Sequence, residues 1–338
     1  MTLTFDRTVS RAFVHVRAIS EIFITDSEQV GEDEFVLATQ LPRAHMQWSD
    51  RLTDHHDPLV TVEIGRQAAF LVAHRYYDVP TSSPCLLHRV DLTIDDLDAF
   101  ADDRIAPPEG TIRVRVHGKQ HRDGGLTALG FAGDLRLGEH TAVTMDGEMA
   151  VFRRPDYKVL RAQTRARKDL AADPPPPVGE RMAPELLGRR DERNVVIRRS
   201  TVEPENGEYR YTLVVDESHP GFFDHPHDHV TGSLMLEVYR QSAIASAHQA
   251  GLLPAPVAAV TGCRLRFTGL GELDARAECV ATVRKTGNGR VDADLRLWQL
   301  DTQIAEARLE LTPLPQRRFP ATAGLITNGL ETWTSNVP

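Results

Sequence analysis

Two stretches of this chain repeat one another, and that repeat limits the folds open to it. Residues Asp54 to Ala68 read DHHDPLVTVEIGRQA, and residues Asp228 to Ser242 read DHVTGSLMLEVYRQS. Without a gap, Asp54 aligns with Asp228, His55 with His229, Glu63 with Glu237, Arg66 with Arg240 and Gln67 with Gln241. Five polar identities in fifteen positions, set in otherwise apolar segments, indicate an internal repeat of domain size. The 338 residues suffice for two such domains, each with its own core.

The second copy reads as a helix from about Gly232 to Ala250, apolar or small along most of its length, with Gly251 placed as a left-handed terminator. The first copy starts where Asp57 caps and Pro58 takes the first helical position, and runs from about Leu59 to Tyr77. In both, Glu, Arg and Gln stand at i, i+3 and i+4, so the three side chains share one face. A carboxylate and a guanidinium on a buried helix cost several kcal/mol unless they are paired.

A strand is expected before the first helix at 34–40, and strands after it at 86–93, 111–117, 126–137 and 141–152. The second half repeats the order, with 194–200 and 209–216 before its helix and 255–267, 275–286, 290–300 and 302–311 after it. Asp123-Gly124-Gly125 and Gly287-Asn288-Gly289 carry turn chemistry between strands. The pattern is α+β, a sheet wrapped round one long helix, written twice. It divides the chain into a lead-in (1–30), a first domain (31–155), a basic and proline-rich linker (156–192), a second domain (193–315) and a tail (316–338). The linker shows no sustained periodicity. Its cluster Arg161, Arg165, Arg167 and Lys168 reads as solvated surface, open to an acidic carrier protein.

A net charge of −9 argues against nucleic acid as a partner. No apolar run is long enough to span a membrane, and the N-terminus has no leader-like apolar region. Cys85, Cys263 and Cys279 are scattered, which fits a reducing cytoplasm, buried thiols and no zinc spacing. The HPHDH run at 225–229 invites a metal, but one loop seldom supplies convergent ligands, and none is expected.

A helix approached through a His- and Asp-containing loop, with an acidic residue on its inner face, resembles the hotdog fold of hydroxyacyl-carrier dehydratases and thioesterases. The doubled form resembles the A-factor biosynthesis (AfsA-type) γ-butyrolactone and butenolide synthases of filamentous bacteria. In the first half the resemblance rests on Pro42-Arg43-Ala44-His45, His55-His56-Asp57-Pro58-Leu59, Glu63, Arg66-Gln67 and His74. In the second it rests on Phe223-Asp224-His225-Pro226, Asp228-His229-Val230, Gly232, Glu237 and Arg240-Gln241. Thr231 departs from the proline usual in that family, yet remains a sound N-cap.

The resemblance implies a tandem double hotdog whose two halves join their sheets and hold sites between them. It implies transfer of a β-ketoacyl group from an acyl-carrier-protein thioester to the hydroxyl of dihydroxyacetone phosphate. Aldol closure to a phosphorylated butenolide follows, without a cofactor. Glu237 and Glu63 are the candidate bases, and Arg240 and Arg66 the candidate phosphate or oxyanion ligands. Gln241, Gln67, His225, Asp228, His229, His55 and His56 are the candidate substrate contacts, and His74 a core histidine. The second site is preferred for its richer loop of His225, His227, Asp228 and His229. A dehydratase or thioesterase and a non-catalytic acyl or butenolide binder remain alternatives, and further self-association stays open.

Overall fold

The computed structural model describes residues 3–168, 170, 179–200 and 204–316. Pro174 to Pro177 and the tail from 317 onward lie outside the described residues. Two long helices, α2 (Val60–Tyr76) and α4 (Gly232–Gln249), are buried on nearly every side. Their sequences carry no polar stripe because each is enclosed, not laid on a surface. A short helix α1 (Arg11–Val14) packs against α2.

Among the described residues the strands form one antiparallel sheet of thirteen, in the order β1-β2-β4-β5-β6-β3-β10-β13-β12-β11-β9-β8-β7. In the first half these are β1 (Ile24–Gln29), β2 (Glu34–Gln40), β3 (Cys85–Ile94), β4 (Glu109–Arg122), β5 (Gly125–Leu137) and β6 (His140–Val151). In the second they are β7 (Glu180–Arg181), β8 (Ile197–Arg199), β9 (Glu208–Leu213), β10 (Ala258–Phe267), β11 (Ala277–Lys285), β12 (Val291–Gln299) and β13 (Thr302–Pro313). Read outward from the centre, β3-β6-β5-β4-β2 mirrors β10-β13-β12-β11-β9, so the tandem double hotdog is the observed architecture. The halves meet where β3 pairs antiparallel with β10, Leu92 opposite Cys263 and Val90 opposite Leu265.

Alternation explains which face each strand buries. In β4, Ile112, Val114 and Val116 turn to the core while Arg113, Arg115 and His117 face solvent. The β4–β5 hairpin turns at Asp123 and Gly124, with φ of 52° and 78°, the left-handed pair a two-residue turn requires. Asn288 takes φ 62° between β11 and β12. Gly251 ends α4 with φ 71°, as its position suggests. Asp57 accepts the Leu59 N–H at 3.1 Å at the start of α2, and Thr231 caps α4 by accepting from Leu234 N at 3.3 Å. All three cysteines are buried and free.

One sequence expectation fails in the linker. Residues Arg154–Ala166 form an amphipathic helix, α3, and the basic cluster is only in part solvated: Arg165 and Arg167 are exposed, while Arg161 and Lys168 are half-buried. Arg161 and Lys168 donate to Glu272 at 3.0 Å, and Arg165 reaches Glu272 and Asp274. The period went unread because Arg and Lys, in place of apolar residues, mark the face that docks. Glu272 has a fully buried side chain. Burial alone would push its carboxyl up, but Arg161 and then Lys168 hold it at about 2. Because this pKa is depressed, the contact stabilises the folded chain above the ordinary value of 4.5 and is lost as pH falls toward 2. The gap in urea resistance between the native chain and Glu272→Gln is therefore expected to be full above about pH 5 and to close with acidification. A gap independent of pH would refute that.

Candidate active site

The two Glu-Arg-Gln faces are built alike and end in different surroundings. Arg66 donates to Glu63 through Nε (2.8 Å) and Nη2 (2.6 Å), and Gln67 adds a third bond at 2.8 Å. Arg240 and Gln241 do the same for Glu237, at 2.9, 2.7 and 2.5 Å. Each glutamine also ties its helix to the opposing strap: Gln67 to Glu21 O and Phe23 N, Gln241 to Asn194 O and Val196 N. Both glutamines thus hold the carboxylate in place and do not line the main cavity.

The straps repeat as well. Arg66 Nη2 donates to Val14 O and Arg240 Nη2 to Leu187 O, each at 3.1 Å. His15 and Gly188, the next residues, are both left-handed, with φ of 54° and 69°. The residues after them, Val16 and Arg189, therefore occupy equivalent positions. Arg189 is 1% exposed and donates to Glu237 at 3.0 and 2.6 Å, and to the carbonyls of Gln47 and Asp50 at 2.7 and 2.6 Å. Glu237 is itself 1% exposed and accepts five hydrogen bonds from three side chains. Burial would raise its carboxyl, but Arg189 and then Arg240 hold it at about 2. The Glu237 face is filled by protein.

The Glu63 face opens on a cavity of about 880 Å³ between the halves. Glu63 and Arg66 line it, together with His225, His227, Asp228 and His229 from the other half's loop. The polar loop of the second half thus stands opposite the first half's helix, whereas the sequence reading had placed it with Glu237. The reciprocal loop, with His55 and His56, borders a narrow crevice beside Arg189 and Arg240. His56 is buried and held neutral over most of the pH range, its pKa pushed down to about 4 by burial and then by Arg51.

Within the cavity two imidazoles have carboxylate partners. His229 Nδ1 donates to Asp228 at 2.6 Å and His225 Nδ1 donates to Asp224 at 2.5 Å. A carboxylate only accepts, so each ring carries a proton on Nδ1, which turns its Nε2 away from the carboxylate. Tyr157 of α3 also donates to Asp228, at 3.0 Å. The first turn of α4, Gly232 and Ser233, lines the cavity. Backbone N–H groups there lack intrahelical acceptors, and the helix dipole favours negative charge beside them. Apolar walls come from both halves, among them Val62, Phe70, Leu86, Phe152, Leu236 and Leu265.

Two residues of the paired faces, His15 and Arg189, escaped the sequence reading. His15 lines the cavity and is held neutral, its pKa brought to about 3 chiefly by burial and then by His74. His74 is buried, as expected, and contacts His15 at 2.8 Å and Val79 O at 2.9 Å. Arg189 lay in the assigned linker. Asp224 accepts from the N–H groups of Arg17 and Ala18, as Asp50 does from those of Arg190 and Asp191. A signal existed for that pair: the ungapped repeat, carried back from Asp54 and Asp228, aligns Asp50 with Asp224 and His45 with His219. Asp224, His225 and His227 bring ligand atoms within 4.8 Å of one another, as do His15, His74 and Cys85. The clamp shared with Asp50 already accounts for the Asp224 carboxylate.

A paired-sheet double hotdog with its cleft at the seam of two halves is an architecture found among acyl-thioester enzymes. A putative thioesterase from Novosphingobium aromaticivorans superposes over 86% of this chain and 98% of its own, with a TM-score of 0.51 at 12% identity. The 12:0-ACP thioesterase from Umbellularia californica covers 85% and 100%, with a TM-score of 0.51 at 7% identity. At such identities the likeness shows the fold alone. This chain belongs to the A-factor biosynthesis hotdog domain (AfsA) family, whose model matches residues 2–153 and 170–315. It is 30% identical over 283 residues to a 2-oxo-3-(phosphooxy)propyl 3-oxoalkanoate synthase of Streptomyces coelicolor, covering 82% of each chain. A synthase of the same name from Streptomyces virginiae is 28% identical over 267 residues, covering 79% of this chain and 84% of that one.

Proposed function

We propose that this protein is an acyltransferase joining a β-ketoacyl group, delivered as an acyl-carrier-protein thioester, to the hydroxyl of dihydroxyacetone phosphate. The product is the ester that closes to a phosphorylated butenolide. The observation that carries this reading is that, of the two repeated glutamates, Glu63 is the open one: fixed by Arg66 and Gln67 yet 18% exposed, it faces a large cleft in a chain related to synthases of that ester. Arg240, expected from sequence to grip phosphate, is buried against Glu237 and out of reach of that cleft.

Glu63 takes the hydroxyl proton as the oxygen attacks the thioester carbonyl. The N–H groups at the start of α4 receive the oxyanion, and the C–S bond then breaks to release the carrier thiol. The phosphate is assigned to Arg154, the first residue of α3, and Arg167, just past its end, cations that line the cleft and have no carboxylate partner among the described residues. Closure needs a proton removed from the carbon between two carbonyls, which suits the free Nε2 of His225 or His229. The soft apolar wall accommodates the acyl chain.

The test is to mix the protein with a β-ketoacyl-carrier thioester and dihydroxyacetone phosphate and to follow products by mass spectrometry. A new phosphorylated ester or butenolide is expected. Free β-keto acid or an enoyl product would mark a thioesterase or dehydratase instead, and unchanged substrate a binding protein.

A further inference from the structure

The closed face of the second half shows what belongs in the open face of the first. The Arg189 guanidinium fills a compartment walled by acceptors: the Glu237 carboxylate and the carbonyls of Gln47 and Asp50. In the ungapped register these correspond to Glu63, Gly221 and Asp224, and all three line the cavity. Val16 takes the place of Arg189 and lines the cavity too. The turns that present the carbonyls match, since Ser49 N donates to His45 O at 3.1 Å and Phe223 N to His219 O at 2.9 Å. A compartment of acceptors selects hydrogen-bond donors and repels phosphate.

A second observation marks the same place. Gln47 is 1% exposed and lines the cavity, yet neither its amide oxygen nor its amide nitrogen has a partner among the described residues. A Cβ on Gly221 would stand 3.6 Å from Gln47 Cβ, so this amide borders the compartment. A buried amide left unpaired is costly, and it persists where a ligand completes it.

Resting on the acyl-transfer reading, we propose that the compartment bounded by Glu63, Val16, Gly221, Asp224 and Gln47 is the subsite of the acyl-accepting primary alcohol. Val16 keeps it open and the Gln47 amide orients the alcohol. In the step itself the alcohol oxygen bonds to the thioester carbon, the C–S bond breaks, and the hydroxyl proton passes through Glu63 to the departing thiolate. Ester and free thiol are the only products.

Two variants test this. Val16→Arg builds in the first half the contact that Arg189 makes in the second. It should lower ester formation at least a hundredfold while leaving the affinity for a non-hydrolysable β-ketoacyl pantetheine within threefold. Gln47→Leu removes an unpaired buried amide, so it should raise Tm while raising the KM for dihydroxyacetone phosphate tenfold or more, with the thioester KM unchanged. A purely structural glutamine would move Tm alone. Ester formation by folded Val16→Arg within a few-fold of the native rate overturns the proposal, as does equal loss of thioester binding. If Val16→Arg does not fold, Gln47→Leu decides by the same KM comparison. If the native protein makes no ester, the acyl-transfer reading falls, and calorimetry with dihydroxyacetone phosphate judges the subsite. Binding lost in either variant supports it, and equal binding or none to the native chain overturns it.

Discussion

Glu63→Gln should lower the rate of ester formation by about a hundred- to ten-thousandfold, the range that a positioned general base contributes. The exchange keeps size and a hydrogen-bonding head, so Arg66 and Gln67 still find an acceptor, and the thermal midpoint should stay near the native one. The partly exposed site lets water compensate the acceptor lost to Arg66. Initial rates at saturating substrates and a melting curve check both halves of the statement. Turnover within tenfold of native would remove Glu63 from the proposed role.

Glu237→Ala should act on stability, by about 3–5 kcal/mol, because it strands Arg189 and Arg240 in the interior without their counter-charge. The urea midpoint is the measurement, and a loss below about 1 kcal/mol would show that the paired ions are not desolvated as their burial implies. Adding Arg189→Met to that variant should recover part of the loss, since an apolar side chain replaces a stranded ion. The contrast between these two glutamates is the sharpest consequence of the structure. Identical motifs carry opposite predictions, rate for Glu63 and stability for Glu237.

The sequence made much of the fold legible. The repeat located both helices to within about two residues at each end, because Asp57, Pro58, Thr231 and Gly251 punctuate them by local chemistry. Strand alternation and two glycine turns supplied most of the sheet. What stayed hidden depended on contacts between distant segments. The α3 face is written in arginine, and only Glu272, more than a hundred residues away, shows that it is a docking face. The match of Val16 with Arg189 leaves almost no trace in residue type, because backbone carbonyls and left-handed φ values define it. The polar loop was paired with the wrong helix for a geometric reason. The loop rich in His225, Asp228 and His229 does serve a cleft, but it crosses the seam to the other half's helix.

The β3–β10 seam has a consequence for the chain's history. Cut there, each lobe would expose an unpaired strand edge, and the economical way to cover it is to pair with its own copy. A self-paired first lobe would hold valine at both clefts, and a self-paired second lobe arginine at both. Joining two unlike lobes in one chain holds one of each, leaving one cleft open at Val16 and the other closed around Arg189.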